Sequence, residues 1–153
     1  MVNIGDKAPA FRLPSTSGGE MGLEELRGKK VVLYFYPKDD TPGCTREACD
    51  FRDNLARLTS AGAMVIGVSK DSLGAHARFK DKYSLPFPLL SDAVGTAVRA
   101  YGAWGEKKSY GKVTEGVIRS TFLIGPDGRV AALWSPVKVE GHVDEVLAAL
   151  ARV

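Results

Sequence analysis

The sequence predicts an α/β fold, a central mixed β-sheet flanked by helices on both faces. Three observations predict it. Two continuous apolar runs, VVLYFYP at 31–37 and AMVIGVS at 63–69, read as strands buried on both sides. The stretch between them has helical spacing, so the three pieces form a βαβ unit with a right-handed crossover. Further on, VIRSTFLIG and RVAALWS are strand-like runs joined by the turn signal GPDG, and an amphipathic segment follows them.

The elements follow in order. PSTSGGE, 14–20, is a loop between an N-terminal extended piece and a helical turn around LEEL. The first buried strand ends at Pro37, and the next helix runs to about Ser60. After the second strand comes a helix from about Ser72 to Tyr83, a short strand at FPLL, and a helix from Asp92 to about Tyr101. The stretch 102–116, GAWGEKKSYGKVTEG, is glycine-rich and polar and reads as a loop; it lacks G-x-G-x-x-G and Walker patterns. GHVDEVLAALARV closes the chain as a helix with Val143, Val146, Leu147 and Leu150 on one face. Strand, helix, strand, a helical insertion, then strand, strand, helix is the layout of a thioredoxin-like domain.

The chain has 153 residues, 44% hydrophobic and 25% charged, which fits one domain over 1–153. Its 21 basic residues are scattered and its net charge is only +3, so nucleic-acid binding is not expected. No apolar stretch reaches the roughly 18 residues of a membrane span, and no export leader is visible, so a cytoplasmic location is expected. The two cysteines, Cys44 and Cys49, then sit in a reducing compartment, where catalytic or metal-binding roles outnumber structural ones. Four ligands for zinc are not in sight. His76 and His142 lie far apart and read as ordinary surface or helix residues.

Both cysteines fall in one helix, five residues apart. At about 100° per residue, Ala48, Phe51, Leu55 and Leu58 lie within roughly 40° of Cys44, while Cys49 lies about 140° away. Cys44 therefore faces the sheet and Cys49 faces out or sideways. In an intact helix their Cα atoms are about 8–9 Å apart. A disulfide needs roughly 4.4–6.8 Å, so the two can bond only if the helix opens.

Thr41 suits the N-cap and Pro42 suits N1, which puts Gly43 at N2 and Cys44 at N3. At N3 a thiolate would meet unpaired amide donors and the positive end of the helix. Asp39 and Asp40 would oppose that charge, and they are expected to face water. A cation is also expected. Arg119 is the candidate, because it interrupts the uncharged run VIRSTFLI. Its strand should run antiparallel to 31–36, which brings it beside the carboxyl end of that strand, where Cys44's helix begins. A structural ion pair of Arg119 with a helix acid such as Glu47 is compatible with this role. Alternative readings stay open at this point: a thiol–disulfide oxidoreductase on the same fold, though C-x-x-C is absent, or a binding module in which Cys44 is core.

YFYPKDDTPGCTREACDFRD resembles the active-site signature of the peroxiredoxins, P-x-x-x-T-x-x-C, matched by Pro37, Thr41 and Cys44. The second cysteine, five residues on, is similar to the bacterioferritin-comigratory or Q-type subfamily. The resemblance runs from GDKAPAF through YGAWGEKKSYGK and IRSTFLIGPDG to GHVDEVLAAL, with Gly125 in place of the acidic residue of an FLID-type version. It implies a thiol peroxidase without metal or organic cofactor. Cys44 would be the peroxidatic cysteine and Cys49 the resolving one. Thr41 and Arg119 would hold the peroxide, and Pro37, Pro42 and Gly43 would shape its pocket. It also implies a hydroperoxide substrate and a reductant of thioredoxin or glutaredoxin type. With no long exposed apolar edge in view, a monomer is expected.

Overall fold

A computed structural model describes residues 2–153. Two short strands, β1 (Arg12–Pro14) and β2 (Glu20–Gly22), form an antiparallel pair, followed by a 3-10 turn at Leu23–Leu26. β3 (Lys30–Phe35), α1 (Pro42–Asp53), α2 (Leu55–Ser60) and β4 (Ala63–Ser69) make the βαβ unit. Then come α3 (Leu73–Tyr83), β5 (Leu89–Ser91) and α4 (Thr96–Ala100). A hairpin of β6 (Trp104–Ser109) and β7 (Lys112–Val117) precedes β8 (Ser120–Ile124), β9 (Val130–Trp134) and α5 (His142–Leu150).

The main sheet has the order β5-β4-β3-β8-β9. β3 and β4 are parallel, as are β4 and β5, while β8 is antiparallel to both β3 and β9. This is the mixed, thioredoxin-like sheet read from the sequence. Side chains alternate across it. Val32, Tyr34 and Tyr36 point to one face, where they pack with Cys44, Ala48 and Phe51 of α1, Phe79 of α3, and Val143, Val146 and Leu150 of α5. Val31, Leu33 and Phe35 point to the other, against Val98 of α4, Tyr101 and Phe122. Both faces are dry because parallel crossovers must cover the sheet. Burying the apolar faces of α1, α2 (through Leu58) and α5 at about 25 cal/mol per Å² is what fixes these helices, since helices this short are marginal alone.

Four boundaries differ from expectation, three of them for a local reason. The helix after β3 breaks at Asn54, whose Nδ2 donates to the Asp50 carbonyl (2.8 Å) and competes with the backbone ladder. The helix expected from Asp92 starts only at Thr96. Asp92 instead accepts from the Val98 amide (2.9 Å), and Gly95 takes a left-handed φ of 83° that no helix interior holds. The short strand is shifted to Leu89–Ser91. The stretch expected as a loop at 102–116 is the β6–β7 hairpin. Its two-residue turn is Tyr110–Gly111, with φ of 52° and 76°, the positive pair that a tight hairpin turn demands. A tyrosine in the first of those places gives no turn signal, and a ribbon this polar shows no buried face.

Candidate active site

Register brings the site together. Phe35 at the end of β3 pairs with Ser120 at the start of β8, so Arg119 stands beside the loop that leads into α1. Residues 119, 121 and 123 then share the face on which α1 packs. Cys44, at the third position of α1, is buried, 2% exposed. Arg119 Nη2 donates to its sulfur at 3.4 Å. Nη1 of the same guanidinium donates to Glu47 Oε1 at 2.7 Å. One fork thus holds both the cysteine and the acid one turn further along the same face.

Gly43 leaves room for this approach: a Cβ there would lie 3.1 Å from Arg119 Nη2, so a side chain would ask the guanidinium to shift by a few tenths of an ångström. Pro37 is half-buried at the start of the loop, and Pro42 occupies the first helical position as expected. Thr41 is the N-cap residue, but its side chain does not cap. Its hydroxyl donates to the Lys38 carbonyl (2.9 Å). The amides of Gly43 and Cys44 therefore keep no side-chain acceptor, and the Thr41 oxygen has a lone pair left to receive a proton donor.

Burial works against the Arg119 charge, but Glu47 and Cys44 outweigh it, so its pKa lies above the ordinary value. For Glu47 the balance goes the other way. Burial pushes its carboxyl up to about 7, against the pull of Arg119. Its second oxygen, Oε2, has no hydrogen-bond partner, and neither has the buried Tyr34 hydroxyl among the described residues. Tyr34 stacks on Phe51 of α1 at 4.8 Å, and its pKa is raised by burial first, then by Glu47 and Cys44.

Asp39 does not face water as expected. It is buried, with Oδ1 accepting from the Tyr36 hydroxyl and Oδ2 bonded to His76 Nδ1, both at 2.6 Å. His76 is fully buried, and its Nε2 bonds the Leu90 carbonyl at 2.9 Å. His142 is buried too, bonded to Thr121 Oγ1 at 2.8 Å. Neither histidine is a surface residue, because each has a polar partner more than 20 positions away that composition cannot reveal. Asp40 is exposed as expected, in a left-handed conformation, and is tied to Lys82 Nζ and the Tyr83 hydroxyl at 2.8 Å each. The ligand atoms of Asp39, Asp71 and His76 lie within 4.8 Å of one another. Each is already engaged, Asp71 Oδ2 by the Asp39 amide and the Ser69 hydroxyl, so a metal there would have to displace these bonds.

Cys49 is half-buried, and both cysteines are free. They share one unbroken helix, so the distance argued from the spacing stands. Sequence reasoning also missed Lys107. This half-buried residue of β6 has its pKa lowered by burial and by Arg119, while Cys44 acts the other way.

Residues 4–133 match the model of the AhpC/TSA family. A protein of Coxiella burnetii named putative peroxiredoxin bcp is 53% identical over 97% of this chain and 99% of its own. Peroxiredoxin Bcp of Bacillus subtilis is 48% identical over 97% and 95%. Among solved structures, Xanthomonas campestris peroxiredoxin Q superposes with a TM-score of 0.90 at 42% identity, covering 99% of this chain and 96% of that one. A second structure, of the bacterioferritin comigratory protein of that organism, gives 0.90 at 41% identity over 99% and 97%; it was described for alkyl peroxide reduction with a trapped intermediate.

Proposed function

This chain belongs to the AhpC/TSA family as a Bcp or Q-type peroxiredoxin, a thiol peroxidase, and from that premise we propose that Cys44 is its peroxidatic and Cys49 its resolving cysteine. The observation that carries the assignment is the 3.4 Å contact of Arg119 with the Cys44 sulfur at the start of α1. The Cys44 thiol ionises, its thiolate attacks the distal oxygen of a hydroperoxide, the O–O bond breaks, and the other oxygen takes up the proton the thiol released and leaves as water or an alcohol. Arg119 and the amides of Gly43 and Cys44 donate to the peroxide oxygens, and these bonds strengthen as charge moves to the leaving oxygen. The Thr41 oxygen, its own proton committed to Lys38, accepts the hydroperoxide O–H and holds it in line. Pro37 and Pro42 shape the walls.

The product is the Cys44 sulfenic acid. The first turns of α1 then unwind, Cys49 attacks that sulfur, and water leaves as an intrachain disulfide forms. A dithiol of thioredoxin or glutaredoxin type reduces it. Both cysteines lie on α1, so the cycle calls for no group from a second copy; we read the chain as a single 1–153 domain acting as a monomer. The need for continual reduction supports the cytoplasm. No helix among the described residues is long and apolar enough to cross a membrane.

One equivalent of hydrogen peroxide should remove both thiols and lower the intact mass by two hydrogens, with no added oxygen. The Cys49→Ser variant should complete one turnover with thioredoxin as reductant and stop as sulfenic acid. Sustained thioredoxin-linked cycling by that variant would rule out the resolving role.

A further inference from the structure

We propose that Lys107 is a specificity-determining residue that binds a carboxylate carried by an organic hydroperoxide at the mouth of the Cys44 site. This rests on the peroxidase reading and adds the class of substrate the site selects.

The β6–β7 hairpin stands apart from the main sheet. Its base is pinned beside the site: the Ile118 amide donates to the Ala103 carbonyl at 2.7 Å, and Arg119 follows directly. One face of the ribbon is fastened to the body. Trp104 points that way, with the Arg99 guanidinium 4.5 Å and the Lys70 ammonium 4.8 Å from its ring centroid. Glu106 and its cross-strand partner Glu115 share the Trp104 face by alternation, and Glu115 accepts from the Trp104 indole at 3.5 Å.

Lys107 lies on the opposite face, with Gly105. There Gly105 pairs with Gly116, so neither residue raises a side chain of its own; Ile118 lies over Gly105, 3.4 Å from where a Cβ would stand, and the space over Gly116 is left to another residue. Lys107 fills the track. A Cβ on Gly116 would lie 3.7 Å from its Cδ and Cε and 3.9 Å from its Nζ. The lysine therefore lies back along the ribbon toward the end that carries Arg119. Its ammonium comes within electrostatic reach of Arg119 and Cys44.

The glycine track accounts for the stem of Lys107 and leaves the head unexplained. The ammonium has no ion-pair partner among the described residues, because both acids of the hairpin are on the other face. Arg119 is a like charge within its reach, and like charges at a half-buried site repel. Arg119 already has its anions, Glu47 and the Cys44 sulfur. The cation left over is matched by an anion that arrives with the substrate. Hydrogen peroxide brings none; a hydroperoxide with a carboxylate a few bonds from its O–O group does.

The test uses cumene hydroperoxide and its para-carboxylate, which differ by one charged group. The readout is the ratio of their kcat/KM values with the intact enzyme. The wild type should favour the carboxylate roughly five-fold at low salt, in the range of a partly exposed ion pair, and lose the preference at high salt. Lys107→Gln should bring the ratio to about one, and Lys107→Arg should retain it. A wild-type ratio near one, or a preference that survives in Lys107→Gln, would overturn the proposal. Failure of the peroxidase reading would show separately, as Cys44 thiol that persists after one equivalent of hydrogen peroxide.

Discussion

Two buried carboxylates flank the start of α1, Asp39 five residues before Cys44 and Glu47 three after it, and they are built differently. Both oxygens of Asp39 are taken at 2.6 Å, by Tyr36 and His76, and the His76 ring is fixed from its other side by Leu90. Glu47 has one oxygen on Arg119 and, among the described residues, the other on nothing. A fully satisfied buried network rigidifies its surroundings, whereas a half-satisfied one stores an unfavourable group. The difference separates scaffold from site. Asp39 holds the loop that presents Cys44, and Glu47 orients the guanidinium that touches it.

The largest effect should come from cutting the site side of this pair. Arg119→Leu removes the donor to Cys44 and the only partner that Glu47 has among the described residues. Its rate of oxidation by hydrogen peroxide should fall by about 100-fold or more, as when a transition-state donor is removed, measured by stopped flow. Next is the scaffold side. His76→Phe leaves one Asp39 oxygen buried and unpaired, so urea unfolding should show a loss of about 3 kcal/mol. The folded protein should still react with peroxide at a rate within several-fold of the wild type. A rate loss equal to that of Arg119→Leu would erase the distinction between the two carboxylates.

The pH dependence of stability sharpens the comparison further. The Glu47 carboxyl rises from its ordinary 4.5 to about 7, so between those values the folded protein keeps a proton that the unfolded chain has lost. Its contribution is complete below 4.5 and disappears as pH rises through 7. His142 is lowered from 6.5 to about 4, by burial and then by Arg119. Its contribution is complete above 6.5 and disappears as pH falls through 4. The two slopes oppose each other where the windows overlap. Glu47→Gln should therefore leave a profile that rises with pH, and His142→Asn one that falls, each on the order of 3 kcal/mol. Urea melts across the window would show this, and equal signs in the two variants would refute it. Smallest is Thr41→Ala, measured for stability alone. Because this side chain caps nothing, the loss should stay under about 0.5 kcal/mol, below the roughly 1 kcal/mol of a working N-cap.

The core of the site was legible in the sequence because local and topological rules meet there. Pro42 fixes the helix start, which sets Cys44 at the third position, and the antiparallel placement of β8 delivers Arg119. Glu47 was legible as its partner, but not its orphaned oxygen, which depends on three-dimensional burial. Asp39 and His76 bond across 37 positions, and no periodicity links them. The β6–β7 ribbon was invisible because its alternation is polar on both faces. With it went Lys107, whose placement depends on a glycine across the strand pair.

The tether at Asp40 has a further consequence for the redox cycle. Asp40 is moored to Lys82 and Tyr83, and Asn54 ends the helix at the other side, so the 12 residues of α1 are held at both ends. On uncoiling they form a short bridge with fixed abutments instead of a free tail. The second thiol then searches only a small volume, at an effective concentration on the order of millimolar, and ring closure outpaces a second encounter with peroxide when peroxide is scarce.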